Sequence, residues 1–133
     1  MRVIFGSLIF LAMIGTAFAD GDPEHGAKVF RKCQACHAVG PEAKPRVGPP
    51  LNGIIGTQAG TQEIFAGKYS KAMIEAGENG LVWDEETLMV YLKKPKDLVD
   101  GTKMAFAGLT KEDEKADVIA YLKQFDAEGN KAE

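Results

Sequence analysis

The spacing of apolar positions divides the chain into four amphipathic stretches, separated by segments rich in glycine and proline. From Glu24 to about Lys32, Ala27, Val29 and Phe30 fall on one side and Lys28, Arg31 and Lys32 on the other, which predicts a short helix. Tyr69, Ala72, Met73 and Ala76 recur at i, i+3, i+4 and i+7 and predict a second helix ending near Gly77. A third follows Trp83. Asp84 can cap it, Glu85 and Glu86 suit its positive end, Leu88, Tyr91 and Leu92 form its buried stripe, and Pro95 closes it. In the fourth, Thr110 is the expected N-cap with Asp113 three residues on, and Val118, Tyr121, Leu122 and Phe125 follow at core spacing. No alternating run predicts a strand, so the expected class is all-α.

The stretch from Ala38 to Lys68 behaves differently. Gly40, Pro41, Pro45, Gly48, Pro49 and Pro50 should keep it from regular structure, yet it carries Val47, Leu51, Ile54, Ile55, Ile64 and Phe65. An irregular loop of roughly thirty residues inside a compact domain needs a reason of its own. A flat apolar object other than polypeptide would give these side chains a surface to cover.

Residues 1–19, "MRVIFGSLIFLAMIGTAFA", open with one basic residue and close on Ala17-Phe18-Ala19, the small-x-small pattern of a secretory cleavage site. The run is short for a bilayer span and no stop-transfer charges follow, although an uncleaved anchor is the alternative. The expected division is a cleaved signal peptide at 1–19 and a single domain at 20–133, exported to the periplasm and not inserted in the membrane once the signal is removed. The chain carries a formal net charge of −3. Losing Arg2 makes it more acidic still, so there is no cationic excess for general nucleic-acid binding.

The candidate chemistry lies at "CQACH", where Cys33 and Cys36, the only two cysteines, are followed directly by His37. A thioredoxin-like pair needs a strand before it and a helix after it, the reverse of this context. A structural zinc site needs four ligands, and only His25 remains to complete the set. A disulfide between the two would close a tiny loop and contribute little. Covalent haem attachment uses all three residues: each thiol adds across a haem vinyl group, and His37 reaches the iron as an axial ligand. The macrocycle would then be the apolar object that the Ala38–Lys68 loop wraps, with Leu51, Ile54, Ile55 and Phe65 against it. For the sixth iron position, a thioether would close the site and raise the reduction potential. Met73 and Met89 sit in helical patterns where methionine packs, whereas Met104 lies in the loop "GTKMAF" with no apolar stripe to explain it. His25 is the rival ligand, read otherwise as an ordinary exposed histidine.

The order "GAKVFRKCQACH", "VGPPLNGIIG", "LVWDEETLMVYLKKPK", "GTKMAFAG" and "ADVIAYLK" resembles class I c-type cytochromes, in particular bacterial periplasmic relatives of mitochondrial cytochrome c, across residues 22–124. The resemblance implies about four to five helices wrapped around one covalently attached haem c with its iron, bound through Cys33 and Cys36 and ligated by His37 and Met104. It implies that Gly26 and Phe30 pack against Tyr121, that Pro49 offers its carbonyl to His37 Nδ1, and that the Tyr91 hydroxyl lies near the Met104 sulfur. Trp83 and Thr102 would hydrogen-bond the haem propionates, although plain packing also accounts for Trp83, and Phe106 would lie at the haem edge. Departures are Thr57 in place of a basic residue, Lys71 in place of an aromatic, and Asp100 in place of a proline.

With both axial positions filled no site remains for a substrate, which implies an electron-transfer protein rather than an enzyme. Lys28, Arg31, Lys32, Lys44, Arg46, Lys93, Lys94, Lys96 and Lys103 fall in the segments expected around the haem crevice, while acids gather at 84–86 and 112–117. A basic face on an acidic molecule would steer it to acidic partners, unless the lysines only solvate the surface. The implied partners of this monomer are a membrane cytochrome bc complex as donor and a terminal oxidase or photosynthetic reaction centre as acceptor. A haem protein with a labile sixth ligand, acting as a peroxidase or gas binder, is the alternative.

Overall fold

A computed structural model describes residues 21–132, so the signal-peptide stretch lies outside the described residues. The order is α1 (Pro23–Phe30), a 3-10 turn (Glu63–Phe65), α2 (Lys71–Glu78), α3 (Glu85–Lys93), α4 (Pro95–Leu98) and α5 (Glu112–Lys123). Among the described residues β pairing is confined to isolated antiparallel bridges, Gln58 with Val82 and Phe125 with Lys131.

Helix α1 starts where Asp22 Oδ1 accepts the Glu24 amide at 2.9 Å and Pro23 takes the first turn, a position that wastes no hydrogen bond. Its buried residues are Gly26, Val29 and Phe30, so Gly26 rather than Ala27 faces inward. The reason is close approach: a Cβ on Gly26 would sit 2.8 Å from Tyr121 Cβ and overlap the Asp117 carbonyl. Phe30 meets the Tyr121 ring at 5.4 Å, and α1 and α5 cross there.

Ser70 and Asp84 cap α2 and α3, accepting from Met73 N at 3.0 Å and Thr87 N at 2.7 Å. Leu88, Tyr91 and Leu92 are buried as their spacing predicts. Pro95 closes α3 and also opens the one-turn α4, because its fixed φ suits a first helical position as well as a stop. Thr110 is not the cap of α5: Lys111 occupies that position without a side-chain bond, and the acids Glu112, Asp113 and Glu114 support the helix start through its dipole instead. Two charged residues of α5 are buried against expectation. Lys115 is 2 % exposed and bonds Glu112 Oε1 at 2.5 Å, and Asp117 binds the start of α1.

The core joins Val29 and Phe30 of α1, Leu88, Tyr91 and Leu92 of α3, Val118, Ile119 and Leu122 of α5, and Trp83. Against it packs a row of half-buried apolar side chains, among them Leu51, Ile55, Met73, Leu98, Met104 and Phe106, each with part of its surface open.

Candidate haem site

The chain keeps turning after α1. Cys33 N bonds Phe30 O at 2.8 Å, Cys36 N bonds Cys33 O at 3.1 Å, and His37 N bonds Cys33 O at 2.9 Å. Residues three and four apart on such a turn share a face, which brings Cys33 alongside Cys36 and His37. Both thiols are free and half-buried. Burial, with Cys36 alongside, pushes the Cys33 thiol up to about 11, the opposite of the acidic thiol of a redox pair. Among the described residues no three or more His, Cys, Asp or Glu side chains converge on a point where a metal ion could sit, which sets the zinc reading aside.

His37 is held from two sides. Its Nδ1 lies 2.7 Å from the Pro49 carbonyl, which can only accept, so Nδ1 carries the proton and Nε2 keeps the lone pair. Burial lowers its pKa, against the pull of the Pro49 hydrogen bond, and the neutral ring is favoured. The ring lies over Gly48, where a Cβ would come within 2.8 Å of Nδ1. Neutral imidazole with one nitrogen fixed and the other free is the form that ligates a metal.

Met104 lies in the irregular segment between α4 and α5. Thr102 Oγ1 accepts its amide at 3.3 Å and exchanges a hydrogen bond with the Tyr91 hydroxyl at 3.0 Å. Lys103 Nζ donates to the carbonyls of Lys68 at 3.1 Å and Tyr69 at 3.4 Å, tying this segment to the far side of the chain. Trp83 is buried with its ring 4.7 Å from Tyr91, and Phe106 is half-buried at the core margin. The Thr57 hydroxyl turns back to Ile54 O at 2.7 Å. His25 is not an ordinary exposed histidine: its Nδ1 sits 2.6 Å from Asp117 Oδ2, in the α1–α5 contact.

Sequence reasoning missed Asn52, which clamps the loop by accepting from Gly40 N at 2.9 Å and donating to Gly40 O at 2.8 Å. An asparagine beside a glycine after a proline pair, "PPLNG", is the available sign of such a turn. The donor chemistry suits a haem: one free imidazole nitrogen, a thioether, two free thiols on one turn, and a row of half-open apolar side chains.

The fold and this set of residues define a small haem-bearing α-protein. The cytochrome c family profile matches residues 23–126, and the chain belongs to that family. It is 44 % identical over 131 residues to cytochrome c2 of Blastochloris viridis, covering 98 % of each chain. It is 54 % identical over 104 residues to cytochrome c2 of Afifella marina, covering 78 % of this chain and 82 % of that one. The solved structure of cytochrome c2 from Rhodospirillum centenum superposes with a TM-score of 0.75 at 44 % identity, covering 80 % of this chain and 99 % of that one. The cofactor is therefore a covalently bound haem c with its iron, and the protein is an electron-transfer protein, not an enzyme.

Proposed function

We propose that Cys33 and Cys36 hold the haem as thioethers, that His37 and Met104 ligate its iron, and that the mature chain from Asp20 onward works in the periplasm as a one-electron carrier. The observation that carries this is the His37–Pro49 hydrogen bond, which commits Nδ1 and leaves Nε2 available beside two free thiols. When bound, the haem supplies an iron that alternates between ferrous and ferric states. The protein's part is to orient and insulate. Pro49 makes the imidazole a stronger donor, the Tyr91–Thr102 pair positions the Met104 segment, and the half-buried apolar row excludes water. Trp83 and Thr102 are the proposed propionate contacts, and Phe106 the proposed haem-edge contact.

The route from a cytochrome bc complex to a terminal oxidase or reaction centre is supported by the exposed basic residues named above, every one of which faces solvent. The test is the visible spectrum of the purified protein, oxidised and reduced. A weak far-red band from methionine sulfur on ferric iron, lost in Met104→Ala, supports the closed site. Haem without that band would replace the carrier reading with the open-site one. A spectrum without haem would return Cys33 and Cys36 to thiol chemistry.

A further inference from the structure

The segment after α5 turns back as a short hairpin whose place in the molecule is not explained by the ligand set. Asp126 organises it. Its Oδ1 accepts from Glu128 N at 3.0 Å and Asn130 N at 2.8 Å, its carbonyl accepts from Gly129 N at 3.0 Å, and its own amide donates to Asn130 O at 3.0 Å. Phe125 pairs with Lys131, and Ala132 N bonds Gln124 O at 2.8 Å.

The hairpin is docked. Gly53 N donates to Phe125 O at 3.2 Å. Gly129 is buried at φ +83°, where a Cβ would overlap Gly40 O and come within 2.6 Å of Asn52 Nδ2. A Cβ on Gly53 would come within 2.9 Å of Ala127 Cα. These contacts fall on Gly40, Asn52 and Gly53, within the loop that follows His37. That loop is laced across by Gly48 N to Cys36 O at 2.8 Å, Leu51 N to Ala38 O at 3.0 Å, and the double Gly40–Asn52 clamp. The Pro49 carbonyl lies between the first two of these rungs. A loop without regular structure has its direction set by a few such bonds, and the hairpin immobilises their far end.

We propose, resting on the assignment of His37 as iron ligand, that the C-terminal hairpin at 125–132 is a brace that fixes the direction of the His37 ring through this loop. Asp126, Gly129 and Asn52 are positioning residues that act through Pro49. The hydrogen bond from His37 Nδ1 makes the ring a stronger donor and favours ferric iron, so loosening it raises the reduction potential.

The test compares the haem-loaded wild type with Asp126→Ala and Gly129→Ala. Both variants should exchange the Gly53 amide and the His37 Nδ1 proton about tenfold faster. Both should have a raised midpoint potential, with the methionine-sulfur band retained. If the Gly53 amide exchanges faster while the His37 proton and the potential stay at wild-type values, the hairpin is only a stabilising clasp and the brace is overturned. Asp126→Ala introduces no clash and discriminates between brace and clasp by itself should Gly129→Ala fail to fold. Absence of hyperfine-shifted histidine ring signals from the ferric wild type would overturn the ligand assignment and the brace together. Their presence, unmoved in the variants, overturns the brace alone.

Discussion

Gly48 and His37 show how little room the site leaves for side-chain change. The imidazole rests where a Cβ on Gly48 would be, and the Pro49 carbonyl fixes its Nδ1. Gly48→Ala should therefore push the ring off the Pro49 carbonyl and destabilise the holoprotein by about 1–3 kcal/mol, the range for overpacking, read from the denaturant midpoint. At the other end of α1, Asp117 accepts the Asp22 amide at 2.7 Å and meets His25 at 2.6 Å. The Asp22 amide first, and His25 second, hold its carboxyl below the usual carboxylate range. A depressed carboxylate contributes stability that is complete above its unfolded value and is lost as pH falls through the folded one. Acid unfolding followed by circular dichroism should show this loss below about pH 4, and Asp117→Asn should flatten it while lowering stability at neutral pH.

At the scale of elements, the crossing of α1 and α5 depends on a glycine. Gly26→Val would place branched carbon inside the Asp117 carbonyl and against Tyr121, and should cost about 3 kcal/mol or more, seen as a large drop in melting temperature. Helix α3 was legible because it buries the apolar stripe Leu88, Tyr91 and Leu92, and periodicity reports that directly; in α2 the periodic residues Ala72, Met73 and Ala76 are only half-buried and Gly77 alone is buried. Lys115 and Asp117 were not legible, since a pattern of apolar positions says nothing about charged groups buried through a specific partner. Thr110 failed as a cap because the Glu112–Glu114 run starts the helix by charge rather than by a hydroxyl. In the candidate site, the Cys33–His37 turn is visible as a motif. The bonds made by Asn52 and Lys103, and the close approach of Gly129 to Gly40, join residues apart in sequence, and no local spacing announces them.

Over the whole molecule, net acidity coexists with an exposed basic set that is only partly neutralised. Lys32 pairs with Glu114 at 3.2 Å and Lys94 with Asp97 at 3.6 Å, each with its lysine open to solvent, where such pairs contribute little. The rate of association with an acidic redox partner should fall as ionic strength rises, and replacing Lys93 and Lys94 together by glutamate should slow it about tenfold at low salt. Stopped-flow reduction across a salt series measures both; a rate indifferent to salt would show that these lysines only solvate the surface.

The α1–α5 contact also fixes an order of events. Asp22 and Asp117 are 95 residues apart in sequence yet hydrogen-bonded, and contacts of such long range form late because the intervening chain must first be gathered in. A polypeptide made from its N-terminus delivers Cys33, Cys36 and His37 early and the face that α1 docks on last. The α1–α5 contact can close only after the last helix arrives.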